Sequence, residues 1–305
     1  MNNKKTYGIE QRLWKDRLAG YTMKTLTWFL MFLLTLMGIG LFLKSENILS
    51  EHSFFKLITD VAWNPMSGQF GFRSFIVSSI YVTLLAVLFS FPVSLLTALF
   101  LTEKTQPWAQ RVFFPILDIL SGIPSVVYGL WGILIVVPWI ADKLGPHFVD
   151  YTSGYTWLAS SIVLGIMVIP LMVSLFIELF SAIPQDLRDA SAALGATEWQ
   201  TTRMVVLRKS FPGIGAAVVL SVSKAFGETM AVLMVCGNIV GIPGSVFDSI
   251  YPLPALIANN YGEMLSLPMY ESALMFAALL MFIIIIIFNV LARMILWRIE
   301  KKIHL

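Results

Sequence analysis

The chain has 305 residues, of which 57% are hydrophobic and only 13% are charged. Soluble globular domains carry about 25% charged residues, so this composition, with a mean hydropathy of +0.79, indicates that lipid is the solvent. A net charge of +3 is too small to suggest a nucleic-acid partner. The single cysteine, Cys236, excludes an internal disulfide and a cysteine metal cluster, and the three histidines lack metal-ligand spacing.

Six apolar stretches reach or approach the length that crosses a bilayer. A hydrocarbon core about 30 Å thick needs roughly 20 apolar residues of helix. In chain order the stretches are Thr25–Leu43, Ser74–Thr102, Ile119–Ala141, Tyr151–Ile177, Pro212–Val240 and Ser272–Ala292. We therefore predict an all-α, polytopic membrane protein with six transmembrane helices in one domain, residues 25–297.

The basic residues of the connections predict the orientation. Sixteen of them lie before the first span, between spans two and three, between spans four and five, or after span six, and four lie in the other connections. Cytoplasmic loops carry the excess of Lys and Arg. Both termini (residues 1–24 and 298–305) and the loop 184–211 are therefore predicted to be cytoplasmic.

The loop 184–211 has its own helix signals. Pro184 is typical of a helix start, and Gly195 suits the left-handed position that ends a helix. Thr197 and Gln200 have the spacing of a capping box that opens a second helix, and Pro212 would either end that helix or begin the next span. We predict a short helix, a glycine turn and a second helix at the cytoplasmic surface. An amphipathic helix lying on the lipid is the alternative.

One spacing in this loop resembles a known family. Asp189-Ala190-Ser191-x-x-x-Gly195, then nine residues, then Val205-x-Leu207, resembles the E-A-A-x3-G-x9-I-x-L-P signature of ABC importer permeases. Asp189 stands where Glu is usual, and Arg208 stands where the family often has Pro. The resemblance implies that this segment docks a cytoplasmic ATPase, through the coupling residues Asp189, Ala190, Ser191, Gly195 and Leu207.

Three further segments resemble the phosphate-specific permeases, and the first favours the PstC type over its PstA-type partner. They are Trp63-Asn64-Pro65…Phe70-Gly71, Ser121-Gly122-Ile123-Pro124-Ser125-Val126-Val127-Tyr128-Gly129-Leu130-Trp131-Gly132 and Gly227-Glu228-Thr229-Met230-Ala231-Val232. The resemblance implies a type I importer permease in the bacterial inner membrane. Its implied partners are a PstA-type permease, an ATP-binding subunit dimer and an extracytoplasmic phosphate-binding protein.

No Walker-type glycine loop occurs in the sequence. We therefore expect a membrane permease subunit that is not an enzyme and binds no cofactor, with ATP and Mg held by the partner ATPase. Two other functions remain open. One is an ABC permease for another oxyanion, such as molybdate or sulfate, and the other is an ion-coupled carrier or channel without an ATPase.

Two charges stand inside the fifth predicted span. Lys224 and Glu228 are four residues apart, so they are predicted to share a helix face, and charges in a span usually mark a pathway. An internal ion pair that only fixes packing is the alternative. Phosphate permeases of the family generally have Arg where Lys224 stands, and Lys acts as a point charge rather than a bidentate fork. The predicted pathway residues are Lys224, Glu228, Thr229, Ser125 and Tyr128. Gly129 and Gly132 are predicted to be packing surface.

Overall fold

The computed structural model describes residues 3–262 and 267–303, and these residues are mostly helical. The helices are α1 (Asn3–Lys44), α2 (Glu46–Glu51), α3 (Phe54–Thr59), α4 (Arg73–Leu99), α5 (Pro107–Gly122), α6 (Ser125–Trp131), α7 (Val137–Trp139), α8 (Trp157–Ser181), α9 (Gln185–Ala193), α10 (Glu198–Thr201), α11 (Leu207–Phe226), α12 (Met230–Leu233), α13 (Leu253–Asn260) and α14 (Pro268–Ile303). A two-stranded antiparallel hairpin joins β1 (Trp63–Asn64) to β2 (Gln69–Phe70).

Short π-helical turns prolong or join several helices. They are Phe100–Lys104 after α4, Gly132–Val136 and Ile140–Leu144 on either side of α7, and Thr202–Val206 between α10 and α11. A 3₁₀ turn, Gly145–His147, follows the π turn Ile140–Leu144.

Six helical stretches of the described residues are long and apolar enough to cross a membrane, which confirms the predicted six-span, all-α fold. They are Arg12–Lys44, Arg73–Lys104, Ser125–His147, Trp157–Ser181, Glu198–Phe226 and Pro268–Met294. Below, the inner end of a span means the end nearest residues 184–211, the side predicted to be cytoplasmic.

Helix α8 is the centre of the bundle, and α4 packs along it. Small residues let the two backbones approach closely, as is common in membranes. A Cβ added to Gly165 of α8 would lie 3.1 Å from the carbonyl oxygen of Ala86 in α4. Ser161 of α8 donates to the carbonyl of Val82 at 3.4 Å, and Ser94 of α4 donates to the carbonyl of Ile169 at 3.4 Å. Helix α11 packs against both members of this pair, and α14 packs against α11.

Helix α1 lies at the edge of the bundle. It has 42 residues, so at about 1.5 Å per residue it is roughly twice as long as the bilayer core is thick. None of residues 12–44 is buried. It contacts α14 near its end, where Gly38 lies against the ring of Phe282 and Lys44 pairs with Glu271 at 3.2 Å.

The outer end of the bundle is closed by chain that folds back into it. The Trp63 ring packs edge-on against the rings of Phe72, Phe75 and Tyr270. The backbone N–H of Leu253, at the start of α13, donates to Ser79 of α4 at 2.8 Å. The proline-rich connection 241–271 therefore includes a helix packed against α4.

The third span is displaced from the predicted stretch Ile119–Ala141. Helix α5 ends at Gly122, and the non-helical residues Ile123 and Pro124 separate it from α6, which begins at Ser125. Pro124 disfavours helical geometry at the residue before it, and Ile123 is extended, with ψ 127°. Residues 107–122 form a separate helix, and Asp118 on it is exposed.

The fifth span begins earlier and ends earlier than the predicted stretch Pro212–Val240. It is helical from Glu198 to Phe226, with Pro212 inside the helix, and Gly227–Thr229 break it before α12. Residues 234–240 are not helical, and Val235 and Cys236 among them are buried within the protein. A count of apolar residues cannot distinguish a segment buried within the protein from a helix that spans the lipid.

Candidate translocation pathway and coupling loop

The loop 184–211 has the predicted local geometry. Helix α9 starts directly after Pro184, with Asp186 in its first turn. Gly195 follows the helix with φ +81°, in the left-handed region that favours glycine. The capping box is also present: Thr197 N–H donates to Gln200 Oε1 at 2.8 Å, and Gln200 N–H donates to Thr197 Oγ1 at 3.3 Å. The predicted helix, glycine turn and second helix start are confirmed.

Neither role predicted for Pro212 is found, because it neither ends the second helix nor begins the next span but lies inside α11. The second helix continues from α10 through Thr202–Val206 into α11, so it forms the inner half of the fifth span. Proline is tolerated in a membrane helix because neighbouring groups can satisfy the freed carbonyl. Any movement of α10 is therefore passed directly to α11.

The predicted coupling residues lie on the exposed side of this loop, with one exception. Asp189, Ala190 and Gly195 are exposed, and Asp189 accepts a hydrogen bond from the Gln185 amide at 3.1 Å. Ser191 is half-buried, and its hydroxyl is hydrogen-bonded to that of Thr201 at 2.9 Å. Leu207 is the exception, since it packs against the hydrophobic core.

Two ion pairs fasten the loop to the inner end of α4. Arg188 of α9 pairs with Glu103 at 2.9 Å, and Glu198 at the start of α10 pairs with the adjacent Lys104. Both basic residues enter the charge count that predicts orientation, but their pairing was not predicted. Arg188 and Glu103 are 85 residues apart, so no local pattern indicates their contact.

The third span and the segment that follows the fifth span pack together through the short helices α6 and α12. A Cβ added to Gly129 of α6 would lie 2.6 Å from Met234 Sδ and 3.3 Å from the Cα of Ala231. One added to Gly132 would lie 2.8 Å from Val235 Cγ1. Gly129 lies against Ala231 and Met234, and Gly132 lies against Val235, so the two segments run side by side in the same direction. The prediction that these glycines are packing surface is confirmed.

The breaks before these two helices bring predicted pathway residues to their starts. Ser125 opens α6 and Thr229 precedes α12. Thr229 also lines an open cavity of about 450 Å³, together with Pro254, Ile257, Ala258, Tyr261 and Met281. Tyr128 is placed differently: it is buried and its hydroxyl donates to the carbonyl of Leu120 at 2.9 Å, which ties α6 to α5.

Lys224 and Glu228 do not share a helix face. Lys224 lies in the last turn of α11, whereas Glu228 lies beyond the helix end, where its N–H donates to the carbonyl of Ala225 at 3.2 Å. The prediction of a shared face was wrong because it assumed an unbroken helix through Gly227. Within the described part of the chain, no ion pair within 4.0 Å involves either residue. Lys224 is exposed and Glu228 is half-buried.

Another polar contact joins α11 to α14 close to Lys224. The hydroxyl of Ser223 donates to the side-chain oxygen of Asn289 at 3.1 Å, and the Asn289 amide donates to the carbonyl of Ile285 at 2.8 Å. Across the described ranges, no group of three or more His, Cys, Asp or Glu side chains is arranged to hold a metal ion.

The chain is similar to curated transport permeases over most of its length. It is 39% identical over 210 residues to "Probable ABC transporter permease protein YqgH" of Bacillus subtilis, covering 68% of this chain and 66% of that protein. It is 34% identical over 254 residues to "Phosphate transport system permease protein PstC" of Xylella fastidiosa, covering 79% and 78% of the two chains. The PstC protein of Mesorhizobium japonicum is 30% identical over 279 residues, covering 87% of this chain and 85% of that protein.

Solved ABC importers share the fold. A bacterial alginate ABC transporter, in complex with an alginate pentasaccharide-bound periplasmic protein, matches with a TM-score of 0.65 at 18% identity, covering 95% of this chain and 99% of that chain. The inward-facing MetNI methionine ABC transporter matches with a TM-score of 0.54 at 20% identity, covering 79% and 99%. The fold is that of a type I importer permease. Residues 90–303 match the family model "Binding-protein-dependent transport system inner membrane component", and the chain belongs to this family of multi-pass inner membrane proteins.

Proposed function

We propose that this chain is the PstC-type permease subunit of an ATP-driven importer of inorganic phosphate. The observation that carries the proposal is the similarity to PstC permeases along most of the chain, at 34% identity over 254 residues in one case. Two regions of the structure support it: the loop that an ATPase would move and the path that an anion would follow.

Exposed apolar side chains support docking of an ATPase on the loop 184–211. Leu194, at the end of α9, is 90% exposed, and Trp199 of α10 is 59% exposed. Large apolar side chains at a water-facing end indicate a surface that a partner covers. Asp189, Ala190 and Gly195 lie beside them, and the small side chains of α9 allow close approach. In this proposal, α9 is a coupling helix seated in a groove of the ATP-binding subunit.

The exposed Lys224 supports an anion path at the interface with a second permease. Lys224 lies in the last turn of α11, within the span Glu198–Phe226, and charged side chains in membrane spans rarely face lipid. A second permease packed against this face of α11 would enclose Lys224 in a water-filled path. Broken membrane helices often border substrate sites, and Ser125 and Thr229 lie at the two breaks. In this proposal these two residues and Lys224 line the path, with Glu228 limiting how tightly an anion is held.

The remaining partners follow from this proposal. A PstA-type permease would complete the path, two ATP-binding subunits would supply hydrolysis with ATP and Mg, and an extracytoplasmic phosphate-binding protein would deliver the anion. This chain would bind no nucleotide and catalyse no reaction. The assignment of residues 1–24 and 298–305 to the cytoplasm, around a domain at 25–297, belongs to the same proposal.

The test is phosphate uptake by the reconstituted complex. The chain is co-expressed with a PstA-type permease, an ATP-binding subunit and a phosphate-binding protein from the same organism, purified, and placed in proteoliposomes containing ATP. Radiolabelled phosphate is then added with the binding protein. We expect the uptake to require both ATP and the binding protein. A tenfold excess of unlabelled molybdate or sulfate, which corresponds to about one decade of affinity, should leave phosphate uptake unchanged.

Each alternative has its own outcome in this assay. ATP-dependent uptake of molybdate or sulfate without phosphate uptake would assign the permease to another oxyanion. Uptake that follows an imposed ion gradient and proceeds without ATP would assign it to the ion-coupled carriers. Absence of an ATP-binding subunit from the purified complex would support the same conclusion.

A further inference from the structure

Arg188 is the most highly connected charged side chain described in the coupling helix α9. Its Nη2 donates to Glu103 Oε1 at 2.9 Å and its Nε donates to Glu103 Oε2 at 3.4 Å. The same guanidinium donates to the carbonyls of Phe180 at 2.9 Å and Ile183 at 2.6 Å. One side chain thus joins α9 to the end of α4 and to the last turn of α8.

The environment makes this link stiff. The side chains of Arg188 and Glu103 are 17% and 10% exposed, so water screens their attraction little. A planar guanidinium that binds a carboxylate at two points fixes direction as well as distance, which an ammonium group does not. The two carbonyls stand at the C-terminal end of α8, where a helix has unsatisfied acceptors and negative potential.

Glu103 stands at the end of α4, in the π turn Phe100–Lys104. Helix α4 packs along α8, the most buried span of the bundle. A displacement of α9 has a covalent route to α8 through residues 182–184 and a second covalent route to α11 through Gly195. It has no covalent route to α4 near the loop. The side-chain link to Glu103 supplies the missing connection.

We propose that the Arg188–Glu103 pair makes α9 and the inner end of α4 move as one body, so that both residues are positioning residues for coupling. The proposal rests on the proposed role of α9 as the ATPase-docking helix. With the pair intact, a movement that the ATPase imposes on α9 tilts α4 and α8 together. Without it, α9 can shift while α4 stays in place, and ATP is hydrolysed without transport.

The adjacent ion pair offers a matched control. Lys104 follows Glu103 in the chain and pairs with Glu198 at the start of α10, yet the two side chains are 44% and 83% exposed. Exposed pairs contribute little to stability because water and salt screen them. The neutral variants Glu103→Gln and Lys104→Gln therefore remove neighbouring charges from the same turn, one inside the link and one beside it.

The experiment measures phosphate transported per ATP hydrolysed by the reconstituted complex. Loss of one partner of a buried pair disrupts its geometry, so we expect Glu103→Gln to lower this ratio by about tenfold or more, with ATPase activity retained. Arg188→Lys keeps the charge without the planar fork, and we expect a loss of roughly threefold. Lys104→Gln should stay within about twofold of the unaltered chain.

The outcomes separate this inference from the proposed function. If the unaltered complex shows no ATP-driven phosphate uptake, the proposed function fails. If it transports, and an assembled Glu103→Gln or Arg188→Lys complex keeps its phosphate-to-ATP ratio, the coupling role of the pair is wrong. If neither variant assembles, the pair serves folding only, and the inference is likewise overturned.

Discussion

The coupling loop and the α6–α12 region differ in how their polar groups are satisfied. In the loop, Thr197 and Gln200 cap each other, Gly195 takes the left-handed turn, and Arg188 has four hydrogen bonds inside the chain. In the α6–α12 region the glycine contacts are tight. Lys224, in the last turn of the preceding helix α11, is exposed and has no ion pair among the described residues. The polar groups named in the loop are satisfied within this chain, whereas in the proposed function the exposed Lys224 is covered by a second permease.

The largest expected effect is at Gly195. No atom lies within 4 Å of a Cβ added there, so Gly195→Asp creates no clash inside this chain. It places a charge and a side chain where α9 would meet the ATPase, and loss of close docking should reduce ATP-driven uptake by at least about tenfold. Uptake and membrane content of the variant are measured together.

Gly68 is the matched control for this substitution. It also has positive φ, +72°, with open space around it, but it lies in the hairpin turn at the other end of the bundle. Gly68→Asp should carry the same backbone strain and transport near normally. Equal losses in the two variants would mean that strain, and not docking, explains the effect at Gly195.

Removal of the exposed charge should have the next largest effect. Lys224→Gln takes away the attraction for an anion, and we expect uptake to fall by about tenfold, the effect of roughly 1.4 kcal/mol. Lys224→Arg retains the charge and adds a fork suited to phosphate, so it should retain transport. The measurement is initial uptake rate against phosphate concentration. Undiminished uptake by Lys224→Gln would leave this residue with no part in the path.

Packing between α6, α8 and α12 can be tested with a single added carbon. Ala at Gly132 would bring its Cβ within 2.7 Å of Val163 Cγ2 and 2.8 Å of Val235 Cγ1, two stiff β-branched side chains. Overpacking of this kind costs about 1–3 kcal/mol, so Gly132→Ala should lower the thermal unfolding midpoint of the purified complex.

Gly40 of α1 supplies the comparison, because a Cβ added there meets nothing within 4 Å. Gly40→Ala should leave the midpoint unchanged or raise it slightly, since Ala favours helix over Gly by up to about 1 kcal/mol. A midpoint for Gly132→Ala equal to that of Gly40→Ala would contradict the close approach of α6 to its neighbours.

The smallest expected effect concerns the contact between α11 and α14. Ser223→Ala removes the hydrogen bond to Asn289, and interhelical bonds in membranes average about 0.6 kcal/mol. Ser174→Ala is the control, because Ser174 bonds only to the carbonyl of Pro170 in its own helix. The midpoint difference between the two variants measures the interhelical bond. No difference would show that packing alone holds the contact between α11 and α14.

Local chemistry explains which features were predictable from the sequence. The capping box at Thr197 and the turn at Gly195 depend on residues within a few positions, so the sequence alone indicates them. The break before Ser125 had a local signal as well, since Pro124 restricts Ile123, but a count of apolar residues passes over it.

The remaining features depend on contacts between distant residues. Val232, Val235 and Cys236 are buried where the α12 segment packs against α6 and α8, and burial in lipid or in protein gives the same composition. Arg188 meets Glu103 only when α4 and α9 are packed on α8. Lys224 is exposed in this chain, and in the proposed function a second permease covers it, a contact that one sequence does not contain.

Site-directed cross-linking from α9 tests the docking claim most directly. Cys236, the native cysteine, is buried, so a thiol-reactive cross-linker should act at an introduced cysteine. Leu194→Cys lies at the end of α9, and Met66→Cys, where the side chain is 76% exposed, lies in the hairpin turn at the opposite end. We predict a cross-link to the ATP-binding subunit from position 194 and none from position 66. A transport-competent complex in which position 194 gives no such product would contradict the account.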